Sequence, residues 1–228
     1  MPKVYNGDLT KLFDLTGKKA VIFGGAGGFG QAIAEGYAAN GCSVCISSRS
    51  EEKLQAAKAA IEKVAAPGVK VMYLAGDAGD EEFVKKAVDT VTGPDGLGGC
   101  DILVNSQGIN KKMWSWEIET DFFEKMLHTN ITSLMLTCKY FGNWMKDHNL
   151  DGDEYVELQS GQPNTNKGYG KIINIGSVRG IRAVANGGGG NVPYNTTKGA
   201  VEMLTKAYAA DLRPNVQVNA IGPTITYT

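Results

Sequence analysis

The sequence contains no long hydrophobic run and no excess of charge of either sign. No apolar stretch approaches the roughly 20 residues that a membrane-spanning helix requires, and residues 1–6 lack the apolar centre of a secretory signal. Lys and Arg number 23 and Asp and Glu number 24, which gives a formal net charge of -1. This balance excludes a broad basic surface for nucleic acid or for an anionic membrane. The chain is therefore expected to be cytoplasmic, with no nucleic-acid or membrane partner.

Cysteine is also scarce, with 4 residues in 228. That number is too small for a disulfide scaffold at this length. Cys42 and Cys45 have the spacing of a metal or redox pair, but Val44 and Ile46 beside them are typical of a strand. Residues three apart in a strand point to opposite faces. We therefore expect this pair to be core thiols, and we expect no metal site.

Glycine is abundant, with 30 residues, and most glycines separate short apolar runs from helix-like segments. This alternation is typical of an α/β domain. The pattern predicts a long helix at about 120–146 and a last helix at about 194–213. Six strands are predicted, at residues 20–23, 43–47, 69–74, 101–105, 171–175 and 216–221.

Two segments without periodicity, 147–170 and 185–191, are predicted to be loops. Strands that alternate with helices need right-handed crossovers, so they form a parallel sheet with helices on both faces. Residues 1–228 are therefore predicted to form a single doubly wound, Rossmann-type α/β domain.

The first predicted strand ends in a glycine-rich turn, Phe23-Gly24-Gly25-Ala26-Gly27-Gly28-Phe29-Gly30. Backbone N–H groups at a helix N-terminus bind phosphate, and glycine permits the close approach and the positive φ that this requires. Gly24, Gly28 and Gly30, with Phe29 between the last two, fit that role. Any tight turn from a strand to a helix favours glycine, but the position in the first βα unit indicates nucleotide binding.

Residues after the second and third predicted strands indicate which nucleotide is bound. An acidic residue would accept hydrogen bonds from the adenosine ribose of NAD, whereas this chain has Ser48 and Arg49. These side chains suit a 2′-phosphate, so NADP(H) is favoured over NAD(H). The alternative is that Arg49 pairs with Glu51. Asp77, with Ala78, is either an adenine contact or a turn residue.

Tyr194 and Lys198 are four residues apart in the last predicted helix and therefore share one helical face. A neighbouring cation lowers the pKa of a phenol, so the pair can perform acid–base chemistry. An ordinary amphipathic helix also contains such pairs by chance. Three further features favour the catalytic interpretation, namely the glycine-rich turn, Asn130 in the long helix and Ser177 at the end of the fifth strand.

Together, these motifs resemble those of the short-chain dehydrogenase/reductase family, in order from residue 15 to residue 228. The resemblance implies that Tyr194 is the proton donor and acceptor, and that Lys198 lowers its pKa and holds the nicotinamide ribose. It also implies that Ser177 bonds the substrate oxygen and that Asn130 supports a relay water. The cofactor set then includes Asn105, Gly108 and Pro223, besides Tyr194 and Lys198 themselves.

The chain departs from the family pattern at several positions. Phe23 replaces a threonine that bonds within the turn, and Pro223-Thr224 replaces Pro-Gly. Asn105-Ser106-Gln107-Gly108 stands where the family has Asn-Asn-Ala-Gly, which places an unusual glutamine near the cofactor. Family members usually continue further, through a seventh strand that helps to build a homo-oligomer. We therefore expect these residues alone to bind dinucleotide, turn over slowly and associate irregularly.

The resemblance implies an NADP(H)-dependent alcohol dehydrogenase or carbonyl reductase with a small-molecule substrate. Residues 172–177 and 221–223 look most like members that act on sugar acids or polyols. One alternative is a 3-oxoacyl carrier-protein reductase, for which Lys111-Lys112 is a weak indication. Another is a regulatory domain that binds NADP(H) without turnover. Trp114 and Trp116 line either the pocket mouth or a subunit contact.

Overall fold

The computed structural model describes residues 13–148, 170–183, 190–224 and 226. Most of the two predicted loops, 147–170 and 185–191, lies outside these ranges. Their described ends correct the predicted boundaries, because Asp147 and His148 are still helical and Gly170 already belongs to a strand. No helix in the described ranges is long and apolar enough to cross a membrane.

Six parallel strands form one sheet in the order β3-β2-β1-β4-β5-β6. The order reverses at β1, whose neighbours are β2 on one side and β4 on the other, as the doubly wound prediction requires. The fold class is therefore confirmed. The strands are β1 (Lys19–Phe23), β2 (Ser43–Ser48), β3 (Val71–Ala75), β4 (Ile102–Asn105), β5 (Gly170–Ile175) and β6 (Val216–Ile221).

The helices pack on both faces of this sheet. Ser50 and Asp80 cap the second and third helices by accepting hydrogen bonds from Lys53 N and Glu82 N. The last helix begins two residues before Tyr194, with Pro193 in its first turn, where proline is preferred. The helices are α1 (Gly28–Ala39), α2 (Glu51–Val64), α3 (Glu81–Thr92), α4 (Thr120–Leu127), α5 (Ser133–His148) and α6 (Val192–Asp211).

The long helix predicted at 120–146 is interrupted, which corrects the sequence prediction. A π-helical turn, His128–Thr132, separates α4 from α5. Such a turn inserts residues into the α-helical repeat and frequently marks a functional site. Asn130, inside the turn, is 2% exposed.

Successive residues of β1 face two different apolar clusters. Val21 and Phe23 pack with residues of α3 and α5, whereas Ala20 and Ile22 pack with residues of α1 and α2. Both faces of the sheet are therefore buried, as in other parallel sheets. All four cysteines are free and buried, which confirms the prediction that Cys42 and Cys45 are core thiols. Burial raises the pKa of Cys42, Cys45 and Cys138 to about 12.

Candidate active site

The glycine-rich turn that joins β1 to α1 leaves no room for a side chain at Gly24 or at Gly30. Gly24 has a φ of 75°, and a Cβ there would lie 2.6 Å from the backbone nitrogen of Gln107. A Cβ on Gly30 would lie 2.3 Å from the Gly24 carbonyl oxygen. Backbone hydrogen bonds from Gly24 N to Ser47 O (2.8 Å) and from Gly27 N to Gly24 O (3.1 Å) hold the turn. They stabilise it although Phe23 replaces the threonine of the family.

A cleft of about 460 Å³ opens beside this turn, at the carboxyl ends of β1 to β4. Ser48, Arg49, Asp77 and Ala78 line it as predicted, and so does Lys53, which the sequence reasoning missed. Lys53 stands three residues after Ser50, the N-cap of α2. This spacing from the end of β2 is the sequence feature from which its place in the cleft could have been predicted. Ser47 also lines the cleft, and its buried Oγ has no hydrogen-bond partner.

Arg49 is exposed at the rim of this cleft and makes no salt bridge within the described ranges. Its predicted alternative partner, Glu51, instead accepts a hydrogen bond from the Tyr73 hydroxyl at 3.2 Å. The guanidinium can therefore reach a ligand in the cleft without first breaking an ion pair.

Asp77 lines the cleft and also holds the turn after β3, so it is a turn residue, and its contact with adenine stays a prediction. Its Oδ1 accepts a hydrogen bond from Gly79 N at 2.8 Å. Its Oδ2 lies 3.4 Å from Nε2 of His128, the first residue of the π-helical turn. His128 is a neighbour that the sequence did not predict.

A second cavity, of about 200 Å³, continues from the first. The two share three lining residues, Ser106, Gln107 and Gly108, which we term the joint. The second cavity contains most of the predicted catalytic and nicotinamide-side residues. They are Phe29, Gly108, Ser177, Tyr194, Lys198 and Pro223.

Lys198 lies under the ring of Tyr194, with Nζ at 5.7 Å from the ring centroid. Its side chain is almost fully enclosed, and Nζ donates a hydrogen bond to the Ile175 carbonyl at 2.6 Å. Burial lowers the pKa of Lys198 to about 8. Tyr194 itself is half-buried and faces the cavity. The geometry therefore places a cation next to a phenol, as the four-residue spacing predicted.

The Asn130 side chain, in the π-helical turn, forms hydrogen bonds to the loop after β4 and to α6. Its Oδ1 accepts from Ile109 N (2.8 Å), and its Nδ2 donates to Ile109 O and to Thr197 Oγ1 (both 3.0 Å). Thr197 Oγ1 in turn donates to the Tyr194 carbonyl at 2.9 Å. The π-helical turn thus positions the first turn of α6, and the role of Asn130 toward a relay water stays a prediction.

Ser177 lies two residues after the end of β5 and is 7% exposed. Its Oγ accepts a hydrogen bond from Arg179 N at 3.1 Å, which leaves the hydroxyl proton available to a ligand. Val178 N donates to the Pro223 carbonyl at 3.2 Å, so the segment after β6 is bound to the Ser177 turn. The replacement of glycine by Thr224 therefore leaves this loop beside the cavity.

The side chain of Asn105 lies outside the lining of both cavities, and its role as a cofactor contact stays a prediction. Its Nδ2 donates to Asn174 Oδ1 (2.9 Å), and its Oδ1 accepts from Thr137 Oγ1 (2.8 Å). Asn174 also donates to Thr205 Oγ1 at 3.0 Å. All four side chains are buried, so their polar groups must bond to one another. Asn105 therefore joins strands and helices beneath the site.

The chemistry of these walls fits a dinucleotide. The turn at Gly24 and Gly30 excludes a Cβ where phosphate would approach, and the buried Ser47 Oγ lacks a partner that a ligand can supply. No cluster of three or more His, Cys, Asp or Glu that could bind a metal occurs in the part of the chain that the structure describes. An α/β sheet with its cleft at the switch point and an adjacent Tyr–Lys pair defines a dinucleotide-dependent enzyme class.

Comparison with known proteins identifies the family. Residues 18–228 match the sequence model described as short chain dehydrogenase, and this chain belongs to that family. It is 30% identical over 210 residues to carbonyl reductase family member 4 of Danio rerio, covering 92% of this chain and 76% of that protein. It is 30% identical over 213 residues to gluconate 5-dehydrogenase of Gluconobacter oxydans, covering 93% and 72%.

A solved structure shares both the fold and the sequence pattern. The structure of NAD⁺-bound xylitol dehydrogenase superposes with a TM-score of 0.77 at 28% identity, covering 92% of this chain and 71% of that one. This chain is therefore an oxidoreductase that uses a nicotinamide cofactor.

Proposed function

We propose that this protein transfers a hydride between NADP(H) and a secondary alcohol or ketone. The observation that carries the proposal is the convergence of Ser177, Tyr194 and Lys198 on one cavity that continues the phosphate-turn cleft. Binding alone requires neither a hydroxyl at the substrate position nor a phenol beside a buried cation.

The chain's own groups supply the proton and hold the reacting oxygen. The cofactor supplies or accepts the hydride when it is bound. The Tyr194 hydroxyl gives its proton to the carbonyl oxygen during reduction and recovers one during oxidation. The Lys198 cation stabilises the resulting phenolate, because opposite charges at this distance favour the charged form. The Ser177 hydroxyl donates a hydrogen bond to the same substrate oxygen.

Asn130 supports this chemistry by position. Its bonds to Ile109 and Thr197 fix the first turn of α6 against the loop after β4. A Cβ on Gly108 would lie 3.4 Å from Asn130 Oδ1 and 3.9 Å from Lys198 Nζ, so both groups face that residue. A water between them would connect Lys198 to solvent and restore the proton of Tyr194.

The preference for NADP(H) rests on the charge at the end of β2. Arg49, Lys53 and Ser48 line the cleft there, and each can donate a hydrogen bond to a 2′-phosphate. No carboxylate occupies the corresponding residues 47–50. Asp or Glu in that position would instead favour the ribose hydroxyls of NAD.

Replacing Arg49 tests this preference directly. Arg49→Ala should raise the Kd for NADPH about 10- to 100-fold, because a charge-assisted hydrogen bond is lost. The Kd for NADH should change less than about threefold. Calorimetric titration of both cofactors measures the ratio, with Lys63→Ala at the exposed far end of α2 as the matched control. Equal losses for the two cofactors would show that Arg49 binds no phosphate.

For the substrate, we propose a sugar acid or polyol. The similarity to gluconate 5-dehydrogenase supports this class, and Asn110 and Thr224 add polar groups to the cavity wall. The second candidate is a 3-oxoacyl carrier-protein reductase, because Lys111 and Lys112 are exposed next to Asn110 at the cavity mouth. A carrier protein with acidic groups would contact such a pair.

A substrate panel decides between these candidates. Oxidation of NADPH is followed by its absorbance at about 340 nm with keto sugar acids, simple ketones and acetoacetyl thioesters. The proposed function requires turnover of keto sugar acids or related polyols above that of the thioesters. A reversed order would identify the carrier-protein reductase. Cofactor binding without turnover of any substrate would indicate a regulatory domain and contradict the proposal.

A further inference from the structure

Gln107 occupies the centre of the joint between the two cavities and lines both of them. Its backbone nitrogen packs against Gly24, so the residue is fixed relative to the phosphate turn. The Tyr–Lys pair and the phosphate turn do not require a long polar side chain at this position. The proposed mechanism leaves this side chain without a role.

The hydrogen bonds around Gln107 determine which way its amide points. Ser133 Oγ has one proton, and it donates that proton to the Thr129 carbonyl at 2.6 Å. Ser133 can therefore only accept from Gln107, and Nε2 donates to it at 3.1 Å. The carbonyl oxygen Oε1 must then point the other way.

Oε1 of Gln107 is buried and has no hydrogen-bond partner among the residues that the structure describes. A buried acceptor without a donor costs free energy, which an arriving donor recovers. Phosphate oxygens at neutral pH carry no proton to donate, and they would repel this oxygen. A ribose hydroxyl can donate. The unpaired acceptor is therefore complementary to a sugar hydroxyl and not to the diphosphate that the glycine turn attracts.

We propose that Gln107 Oε1 accepts a hydrogen bond from a ribose hydroxyl of the bound nicotinamide dinucleotide. Gln107 then positions the cofactor where its two halves meet, and Ser133 holds the amide in the required orientation. The inference rests on the dinucleotide binding of the proposed function and adds a specific contact to it.

The test compares cofactor affinity in variants of the full chain. Gln107→Met keeps the length of the side chain and removes the acceptor, so the Kd for NADPH should rise about tenfold by calorimetry. Ser133→Ala should give a smaller rise, because it releases Nε2 without removing Oε1. Gln217→Met, at an exposed position of β6 outside both cavities, is the matched control and should leave the Kd unchanged.

Cofactor fragments show which ribose is bound. A loss of affinity for adenosine 2′,5′-bisphosphate as well as NADPH would assign the adenosine ribose, whereas a loss for NADPH alone would assign the nicotinamide ribose. If Gln107→Met folds poorly, Gln107→Ala provides the same comparison with a smaller side chain. Unchanged affinity for every ligand would overturn this inference alone. Wild-type protein that binds no NADPH would contradict the proposed function, and this inference with it.

Discussion

Lys198 combines a charge with near-complete burial, and its protonation therefore depends on folding. Burial lowers its pKa to about 8, against about 10.4 for a lysine in an unfolded chain. Below pH 8 both states bind the proton, and the native state bears the full cost of the buried charge. Between these two pKa values the unfolded state binds more protons, so stability rises with pH.

This difference predicts how Lys198→Met changes the pH dependence of stability. From pH 7 to pH 9, the wild-type free energy of unfolding should rise by about 1 kcal/mol relative to the variant. Urea unfolding at several pH values measures the difference. Lys206→Met, an exposed position in the same helix, should show no such trend. Parallel curves for wild type and Lys198→Met would contradict a lowered pKa.

The phenol of Tyr194 should be essential for turnover but not for cofactor binding. Tyr194→Phe keeps the ring and removes the proton donor, so kcat should fall about 10²- to 10⁴-fold while the Kd for NADPH stays within about threefold. Steady-state kinetics and a binding titration measure the two effects separately. Tyr208→Phe, whose hydroxyl bonds to Met135 O away from the cavity, serves as the control. Near-normal kcat in Tyr194→Phe would show that the Tyr194 hydroxyl is not the proton donor.

Among the secondary structure elements, β4 is joined to its neighbours by hydrogen bonds between buried polar side chains. Asn105 at its end bonds to Asn174 of β5 and to Thr137 of α5, and Asn174 bonds to Thr205 of α6. One missing member would leave several buried groups unpaired, and each such group is costly in a low dielectric.

We therefore expect Asn105→Ala to change stability and not cofactor affinity. The free energy of unfolding should fall by about 2–4 kcal/mol, while the Kd for NADPH of the folded variant stays within about threefold. Denaturant unfolding and calorimetry give the two values, with the exposed Asn143→Ala of α5 as the control. A large loss of affinity for NADPH with little loss of stability would show that the Asn105 side chain contacts the cofactor.

The sequence predicted the elements better than the side-chain positions. Apolar runs placed every strand to within about two residues, because strands buried on both faces have a clear pattern. The same pattern concealed the turn at His128–Thr132, since the apolar stripe continues across it. Asn105 adjoins the predicted cofactor loop in sequence, yet its strand directs the side chain into the core. Local periodicity cannot show such tertiary contacts.

For the whole molecule, the position of the cleft couples ligand binding to global stability. The cleft is lined by residues at the ends of four strands, in the turn before α1 and at the start of α2, so a ligand contacts elements that separate on unfolding. A ligand whose free concentration is about 100 times its Kd stabilises the native state by about 2.7 kcal/mol. The homo-oligomer and the cytoplasmic location stay predictions.

NADPH should therefore raise the thermal midpoint by about 5–10 °C at that concentration. Gly24→Val should abolish the shift, because its side chain would meet the Gln107 backbone and its φ of 75° disfavours valine. Differential scanning fluorimetry measures both proteins, each compared with its own ligand-free midpoint. Gly36→Ala, with no atom within 4 Å of the added Cβ, is the control and should keep the shift. A full shift in Gly24→Val would place the cofactor elsewhere.

Because the two cavities share only the joint within the described ranges, the cofactor specificity and the substrate specificity of this enzyme depend on largely different residues. Among the described residues, Ser106, Gln107 and Gly108 line both cavities, whereas Arg49 and Lys53 line the first cavity alone and Asn110 and Thr224 the second alone. A replacement at Arg49 or Lys53 therefore leaves the lining of the second cavity intact, and one at Asn110 or Thr224 leaves the lining of the first cavity intact. Cofactor specificity and substrate specificity can therefore evolve separately. Substitutions at Ser106, Gln107 or Gly108 are the ones that would affect both.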